Sequence, residues 1–358
     1  MKAAVCYEFN KPLVVEELDI DKPHAGEVKV RIVATAVCHS DIHFIAGDMP
    51  QPPPYVPGHE SAGYVDEVGE GVTTIKKGDP VVVSLLRSCG QCLYCRTGRP
   101  NMCNAKWPLD TGSRIRNKKG VSIGHGLRVG SFAEYVVVDK SQVVPVAADM
   151  PLDRAALLAC GVITGFGAVV NRAKVKPMSS AVVLGVGGVG LNAIQGAAVC
   201  GANPIIAVDM LDNKLEAARK FGATHVLNSA KAADPVKAIK DMTSGLGADY
   251  VFITVGVTSA VRQALDMLGR QGMAVIVGLA TQPLTSAPLE YIDDEKTLTG
   301  SFMGTTNLSV DIPKLVALYK AGILKLDELI TNRFPLDKIN EAIESTKKGE
   351  ALRNIIVF

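Results

Sequence analysis

The chain has 358 residues, 47% hydrophobic and 21% charged, with a formal net charge of +2. That profile fits a globular protein of two ordinary-sized domains. A balance so near neutral, with Lys and Arg scattered rather than blocked, argues against nucleic acid or an anionic membrane surface as partner.

The N-terminal run MKAAVCYEFNKPLVVEELD has no long apolar core and does not read as a signal peptide. Val28 to Ala36, Gly63 to Val68 and Asp79 to Leu86 read as strands, separated by Gly and Pro at the short intervals of an antiparallel or barrel-like domain. Then come Cys89, Cys92, Cys95 and Cys103, spaced C-x2-C-x2-C-x7-C. Such gaps let one loop wrap four thiolates around a tetrahedral ion, and zinc takes four sulfurs in closed structural sites. Eight cysteines in a chain read as unsecreted favour metal ligation over disulfides, in a reducing compartment, the cytoplasm by default. A polar run at about 104–129 reads as a long loop that resumes as a strand at Ala133 to Val138.

After Pro151 the pattern changes. Ala155 to Ala173 reads as a helix interrupted by glycines. Strands are expected at Ala181 to Leu184, Ile205 to Val208, His225 to Leu227, Tyr250 to Thr254 and Ala274 to Val277. Helices at Val189 to Cys200, at Asp212 to Phe221 and between the later strands alternate with them, which implies a doubly wound parallel sheet. Pro177 to Val208 carries no charged side chain and exceeds the length of a membrane span, but its Asn, Gln, Pro and glycines fit strand, helix, strand. The last stretch, from about Gly304, contains helices and a terminal strand Asn354 to Phe358.

Gly185-Val-Gly187-Gly188-Val189-Gly190 matches G-x-G-x-x-G, placed after a strand and opening a helix. Gly185 permits the tight turn, Gly187 lets the backbone approach a pyrophosphate, and Gly190 lets helix and strand pack closely. The helix N-terminus then offers free N–H groups to phosphate. Asp209, after the second strand, would accept hydrogen bonds from the adenosine ribose and repel a 2′-phosphate, which favours NAD over NADP. Lys214 is a further candidate for that ribose.

Other candidates are Cys38 in Cys38-His39-Ser40-Asp41-Ile42-His43, His59 and Glu60 in Gly58-His59-Glu60, and Cys160 in LLACGVITGFGA. Two Cys and one His are a ligand stoichiometry of an open, catalytic zinc.

With these segments in this order, the chain resembles the zinc-dependent medium-chain alcohol dehydrogenases over nearly its full length. The resemblance implies an α/β protein with a GroES-like, β-rich catalytic domain (1–161 and 304–358, with a structural zinc lobe at about 87–105). A Rossmann coenzyme domain (162–303) would divide it in sequence. It implies two zinc ions: a catalytic one on Cys38, His59 and Cys160, and a structural one on Cys89, Cys92, Cys95 and Cys103. Asp41 takes the position that orients His59, and Glu60 one that can approach the metal during ligand exchange. Ser40 matches the hydroxyl that bonds the substrate oxygen, and His43 the end of the proton relay. His39 stands where many relatives carry Arg against the pyrophosphate, from which faster coenzyme release is expected. Arg353 matches a pyrophosphate contact and Thr164 one near the nicotinamide; Gly188, Val189 and Val277 complete the expected coenzyme contacts. Met49, Leu85 and Trp107 are pocket-wall candidates, apolar enough to favour an aliphatic or aromatic alcohol over a polyol.

The implied reaction is reversible oxidation of an alcohol to an aldehyde or ketone with NAD, by a homodimer or homotetramer. Among other readings, polyol and secondary-alcohol dehydrogenases often replace the third catalytic Cys with Glu, which Cys160 opposes. The loop after the four cysteines is short for a glutathione-dependent formaldehyde dehydrogenase. A zinc-ribbon nucleic-acid binder lacks its basic stripe here.

Overall fold

The computed structural model describes residues 1–49 and 51–358. The chain divides into two units, Met1–Cys160 with Asn307–Phe358, and Gly161–Thr306.

The first unit is built on the strand Glu27–Ala36, in which Val28, Val30, Ile32 and Ala34 alternate inward and are at most 1% exposed. This period of two fixes one face against the core. The strand pairs antiparallel with Ser61–Val68, Tyr135–Asp139 and the C-terminal strand Arg353–Val357. Pro80–Val83, Val143–Pro145 and Ile330–Pro335 complete a seven-stranded sheet. A five-stranded sheet joins Lys2–Val5, Val14–Ile20, Ile115–Asn117, Ser122–His125 and Tyr55–Val56. Leu18, Tyr55, Ile115, Ile123 and Phe132 pack in the core they share with the unit's C-terminal segments.

Four features depart from the expected elements. The stretch expected as one loop contains a hairpin, Ile115–Asn117 with Ser122–His125. The Asn117 side chain closes its turn by accepting from the Lys119 and Val121 amides, each at 3.0 Å. These strands are too short to display periodicity, which is why the segment looks unpatterned. The strands Lys2–Val5 and Val14–Ile20 were likewise not anticipated. The strand expected to run to Leu86 ends at Val83, because the chain then turns to let the Ser84 hydroxyl donate to the Ala159 carbonyl at 2.6 Å. Residues after Cys38 form a helix, α1 (His39–Ala46).

The helix α2 (Leu152–Ala173) carries the chain from the first unit into the second. Rather than breaking at its glycines, it widens into π-helical turns at Leu158–Val162 and Ala168–Ala173. It is long and apolar enough to cross a bilayer, yet 83% of its most apolar window is buried inside the protein, so it is a core helix.

The second unit is a parallel sheet of β1 (Ala181–Leu184), β2 (Ile205–Asp209), β3 (His225–Asn228), β4 (Ala248–Ile253), β5 (Leu268–Ile276) and β6 (Thr297–Gly300). Their spatial order is β3-β2-β1-β4-β5-β6, the doubly wound arrangement with its crevice where the order reverses, between β1 and β4. Every residue of β1 is buried, as a strand covered on both faces requires. The uncharged stretch 177–208 is β1, the helix α3 (Gly188–Val199) and β2. β5 begins earlier than the apolar run suggested, since Gly269, Arg270, Gln271 and Gly272 hide its first half.

Candidate active site

Cys38 is the N-cap of α1, and Asp41 is the third helical residue. In this capping box the Asp41 carboxylate accepts from the Cys38 amide at 3.1 Å. The same carboxylate accepts from the Gly58 amide at 3.0 Å and meets His59 Nδ1 at 3.0 Å. Asp41 and His59 are fully buried. One side chain therefore starts the helix, holds the turn before the strand Ser61–Val68 and orients the imidazole. With Nδ1–H given to Asp41, the lone pair of Nε2 faces Cys160 Sγ, 3.3 Å away.

Cys160 stands in the first π-helical turn of α2, a local widening common at functional sites. One ligand atom each from Cys38, His59, Glu60 and Cys160 lie within 4.8 Å of one another. Zn–S and Zn–N distances of about 2.3 and 2.0 Å put tetrahedral donors about 3.3–3.8 Å apart, so the set fits such an ion. The hydrogen bond with Cys160, helped by His59, holds the Cys38 thiol well below its ordinary range against the opposing effect of burial. The same bond, together with burial, pushes Cys160 well up. Burial opposes protonation of His59, but Asp41 and Cys38 outweigh it and raise the imidazole well above its usual value. A metal cation on Nε2 would take that proton's place.

Glu60 is buried and paired with Arg353. The Arg353 Nε is itself buried without a hydrogen-bond partner among the described residues. Arg353 thus lies in the wall of this side-chain cluster, with its guanidinium on a carboxylate 293 residues away in sequence.

The second cluster joins Cys89, Cys92, Cys95 and Cys103, again with ligand atoms within 4.8 Å of one another. Backbone amides point at the sulfurs: Gln91 and Cys92 donate to Cys89 Sγ at 3.4 and 3.3 Å, and Cys89 donates to Cys103 Sγ at 3.4 Å. Amide donation led by Cys95 lowers the Cys92 thiol to about 6, while burial raises Cys95 to about 12. Donors aimed at sulfur favour thiolate, the form that binds metal.

One neighbouring residue, Arg87, has no sequence signal. Arg87, 3% exposed, donates to Gln142 at 2.8 Å, to Asp110 at 2.6 Å and to the Arg128 carbonyl at 3.3 Å. Trp107 lies over its guanidinium at 5.6 Å, so Arg87, just before the four-cysteine lobe, is joined to Trp107 and Asp110, just after it. Leu85 is buried and Met49 half-buried.

In the second unit, Gly185 takes φ +84, and a Cβ there would meet Val255 at 2.3 Å. A Cβ on Gly190 would strike the Gly185 carbonyl at 2.0 Å, whereas one on Gly187 would meet nothing within 4 Å and would fill the open cradle before α3. Thr254 pins this turn by donating to the Gly185 carbonyl at 2.6 Å. Asp209, ending β2, accepts from the Val186 amide of the turn at 2.9 Å. The cradle, the α3 N-terminus carrying Gly188 and Val189, and this carboxylate fit a dinucleotide. Lys214 is half-buried in the first turn of the helix after β2, and Val277 follows β5 with its amide on the Ile253 carbonyl at 2.9 Å. Thr164 donates to Met303 Sδ at 3.7 Å. His39, exposed, opens α1, and Ser40 and His43 follow on the same helix.

Residues 24–148 match the model of the alcohol dehydrogenase GroES-like domain, and residues 188–321 that of the zinc-binding dehydrogenase domain. The chain is 39% identical to an NDMA-dependent alcohol dehydrogenase of Amycolatopsis methanolica, over 99% of this chain and 98% of that one. The chain belongs to the zinc-dependent medium-chain alcohol dehydrogenase family. Among solved structures, benzyl alcohol dehydrogenase of Acinetobacter calcoaceticus superposes with a TM-score of 0.92 at 35% identity, covering 100% of this chain and 99% of that one. An alcohol dehydrogenase zinc-binding domain protein of Burkholderia ambifaria gives a TM-score of 0.95 at 33% identity, with 100% and 98% covered. The β-rich unit is thus the family's GroES-like part and the parallel sheet its Rossmann part. This alcohol dehydrogenase is a zinc-type oxidoreductase whose substrates are small alcohols and their carbonyl products.

Proposed function

We propose that this alcohol dehydrogenase is NAD-dependent, interconverting an aliphatic or aromatic alcohol with its aldehyde or ketone. The observation that carries the reading is Asp209, which ends β2 hydrogen-bonded to the fingerprint turn, where a carboxylate accepts from ribose hydroxyls and repels a 2′-phosphate. Gly185, Gly187, Gly188, Val189 and Gly190 would hold the pyrophosphate, with Lys214 toward the adenosine ribose and Thr164 and Val277 toward the nicotinamide. His39 and Arg353 are the remaining coenzyme contacts in this reading.

Cys38, His59 and Cys160 would hold the catalytic zinc, with Glu60 available for exchange onto it; Cys89, Cys92, Cys95 and Cys103 would hold the structural one. When bound, zinc would supply Lewis acidity that eases loss of the alcohol's hydroxyl proton, and NAD would supply the hydride acceptor. The chain's own residues then manage position and proton. Asp41 keeps His59 in the tautomer that presents Nε2. The Ser40 hydroxyl meets the substrate oxygen and begins the proton's path. His43, three residues further along α1 and so on the same helical face, passes the proton to solvent. Met49, Leu85 and Trp107 are the proposed pocket walls.

The similarity to the A. methanolica enzyme favours one second reading, in which NDMA serves as acceptor. The test is a panel of primary, secondary, aromatic and polyol alcohols with NAD, NADP and NDMA, using zinc-replete protein. NAD-linked turnover of aliphatic or aromatic alcohols is expected. Turnover with NDMA alone would favour the second reading, and turnover of no alcohol with any acceptor would overturn both.

A further inference from the structure

The helix α1 ends at Gly47, which takes φ 85. The Gly47 amide bonds the Phe44 carbonyl at 3.1 Å, and the Asp48 amide returns to the His43 carbonyl at 2.9 Å. This is the Schellman pattern, in which a left-handed residue folds the chain back over the last helical turn. A side chain at Gly47 would also press on the Phe9 ring, reaching Cγ at 3.0 Å. The turn delivers Asp48 Oδ2 to His43 Nδ1 at 2.8 Å. His43 is thus bound to one residue through both its backbone and its ring.

We infer that Asp48 is a positioning residue for proton transfer: its carboxylate takes the Nδ1–H of His43 and leaves the Nε2 lone pair as the atom that receives the proton. This rests on the reading of His43 as the end of the relay. A neutral imidazole has one N–H, and the tautomer is set by what each nitrogen bonds. An ionised carboxylate only accepts, so it selects the Nδ1–H form. Stability does not explain the pair, because the two side chains are 38% and 53% exposed, and ion pairs so solvated contribute little. The geometry matters for orientation instead, as with the carboxylate that fixes a catalytic imidazole in other enzymes.

Asp48→Asn keeps the shape but offers an amide N–H that can bond Nδ1 and select the opposite tautomer. In the zinc-replete protein, histidine 15N spectra should show His43 with Nδ1 protonated, its signals assigned by their loss in His43→Gln. Asp48→Asn should shift that pattern toward Nε2–H, and Asp48→Glu should restore it in part. Proton release during a single turnover, read with a pH indicator, should slow about 3- to 10-fold in Asp48→Asn, a fraction of what a general base contributes. In a His43→Gln background the Asp48 change should add nothing. An unchanged His43 tautomer in Asp48→Asn, or a loss that adds to that of His43→Gln, would overturn the inference. If His43→Gln alone left proton release unaltered, the relay reading would fall first and take this inference with it.

Discussion

Asp41→Asn is the most discriminating change at the metal cluster. The carboxylate accepts from Cys38, Gly58 and His59, the last two on one oxygen. Asn can keep its single carbonyl toward Gly58 and His59, but its amide then faces the Cys38 amide, donor against donor. Loss of that cap costs about 1 kcal/mol of stability. Loss of the negative charge behind His59 weakens the imidazole as a ligand. An outer carboxylate of this kind typically changes metal affinity by about 10- to 100-fold, or about 1.4–2.7 kcal/mol. The assay is graded chelator competition with cobalt substitution, because a four-sulfur site and a mixed sulfur–nitrogen site differ in their visible bands. The Cys38–His59–Cys160 site should lose metal at correspondingly lower chelator, while the four-cysteine lobe keeps its own. Wild-type affinity at both sites in Asp41→Asn would refute the claim that this carboxylate organises the cluster.

Cys95→Ser should abolish metal binding in the four-cysteine lobe, lower the melting temperature and leave the cluster around His59 loaded, as read by zinc analysis and calorimetry. His39→Arg should tighten NAD and slow its release, because a permanently charged guanidinium holds pyrophosphate better than imidazole; stopped-flow fluorescence of coenzyme dissociation checks this. His125 offers a pH prediction: burial lowers its imidazole from 6.5 to about 4. As pH falls from about 6.5 toward 4, the unfolded chain binds a proton that the fold refuses, so stability present above that window is lost through it, by up to about 3 kcal/mol. His125→Gln should flatten the fall in urea midpoint between pH 7 and pH 5, and an unaltered slope would contradict the assignment.

What could be read in advance was whatever depends on neighbours in the chain. The fingerprint glycines were legible because β1 and α3 flank them, and the four-cysteine lobe because its ligands come from one loop. Cys38, His59 and Cys160 needed the family pattern, since their convergence is a property of the folded sheet and of α2. The pairing of Arg353 with Glu60 had no local signature, because its partners are 293 residues apart. Arg87 was hidden for a different reason. A cation after an apolar strand looks like a surface residue until Gln142, Asp110 and the Arg128 carbonyl surround it. The hairpin at Ile115–His125 and the helix α1 have no sequence signature because elements of three to eight residues hold too few positions to show a period.

The π-helical turn at Leu158–Val162 places Cys160 by length as well as by composition. An α-helix advances about 100° per residue. Deleting any one residue between Leu152 and Cys160 would let the helix tighten and swing the thiol around its axis, away from His59. The same slip would rotate the buried apolar side chains that follow. Point substitutions on this stretch are therefore a matter of size and polarity, whereas a single-codon deletion would remove Cys160 from the cluster with Cys38 and His59 even with every cysteine still encoded.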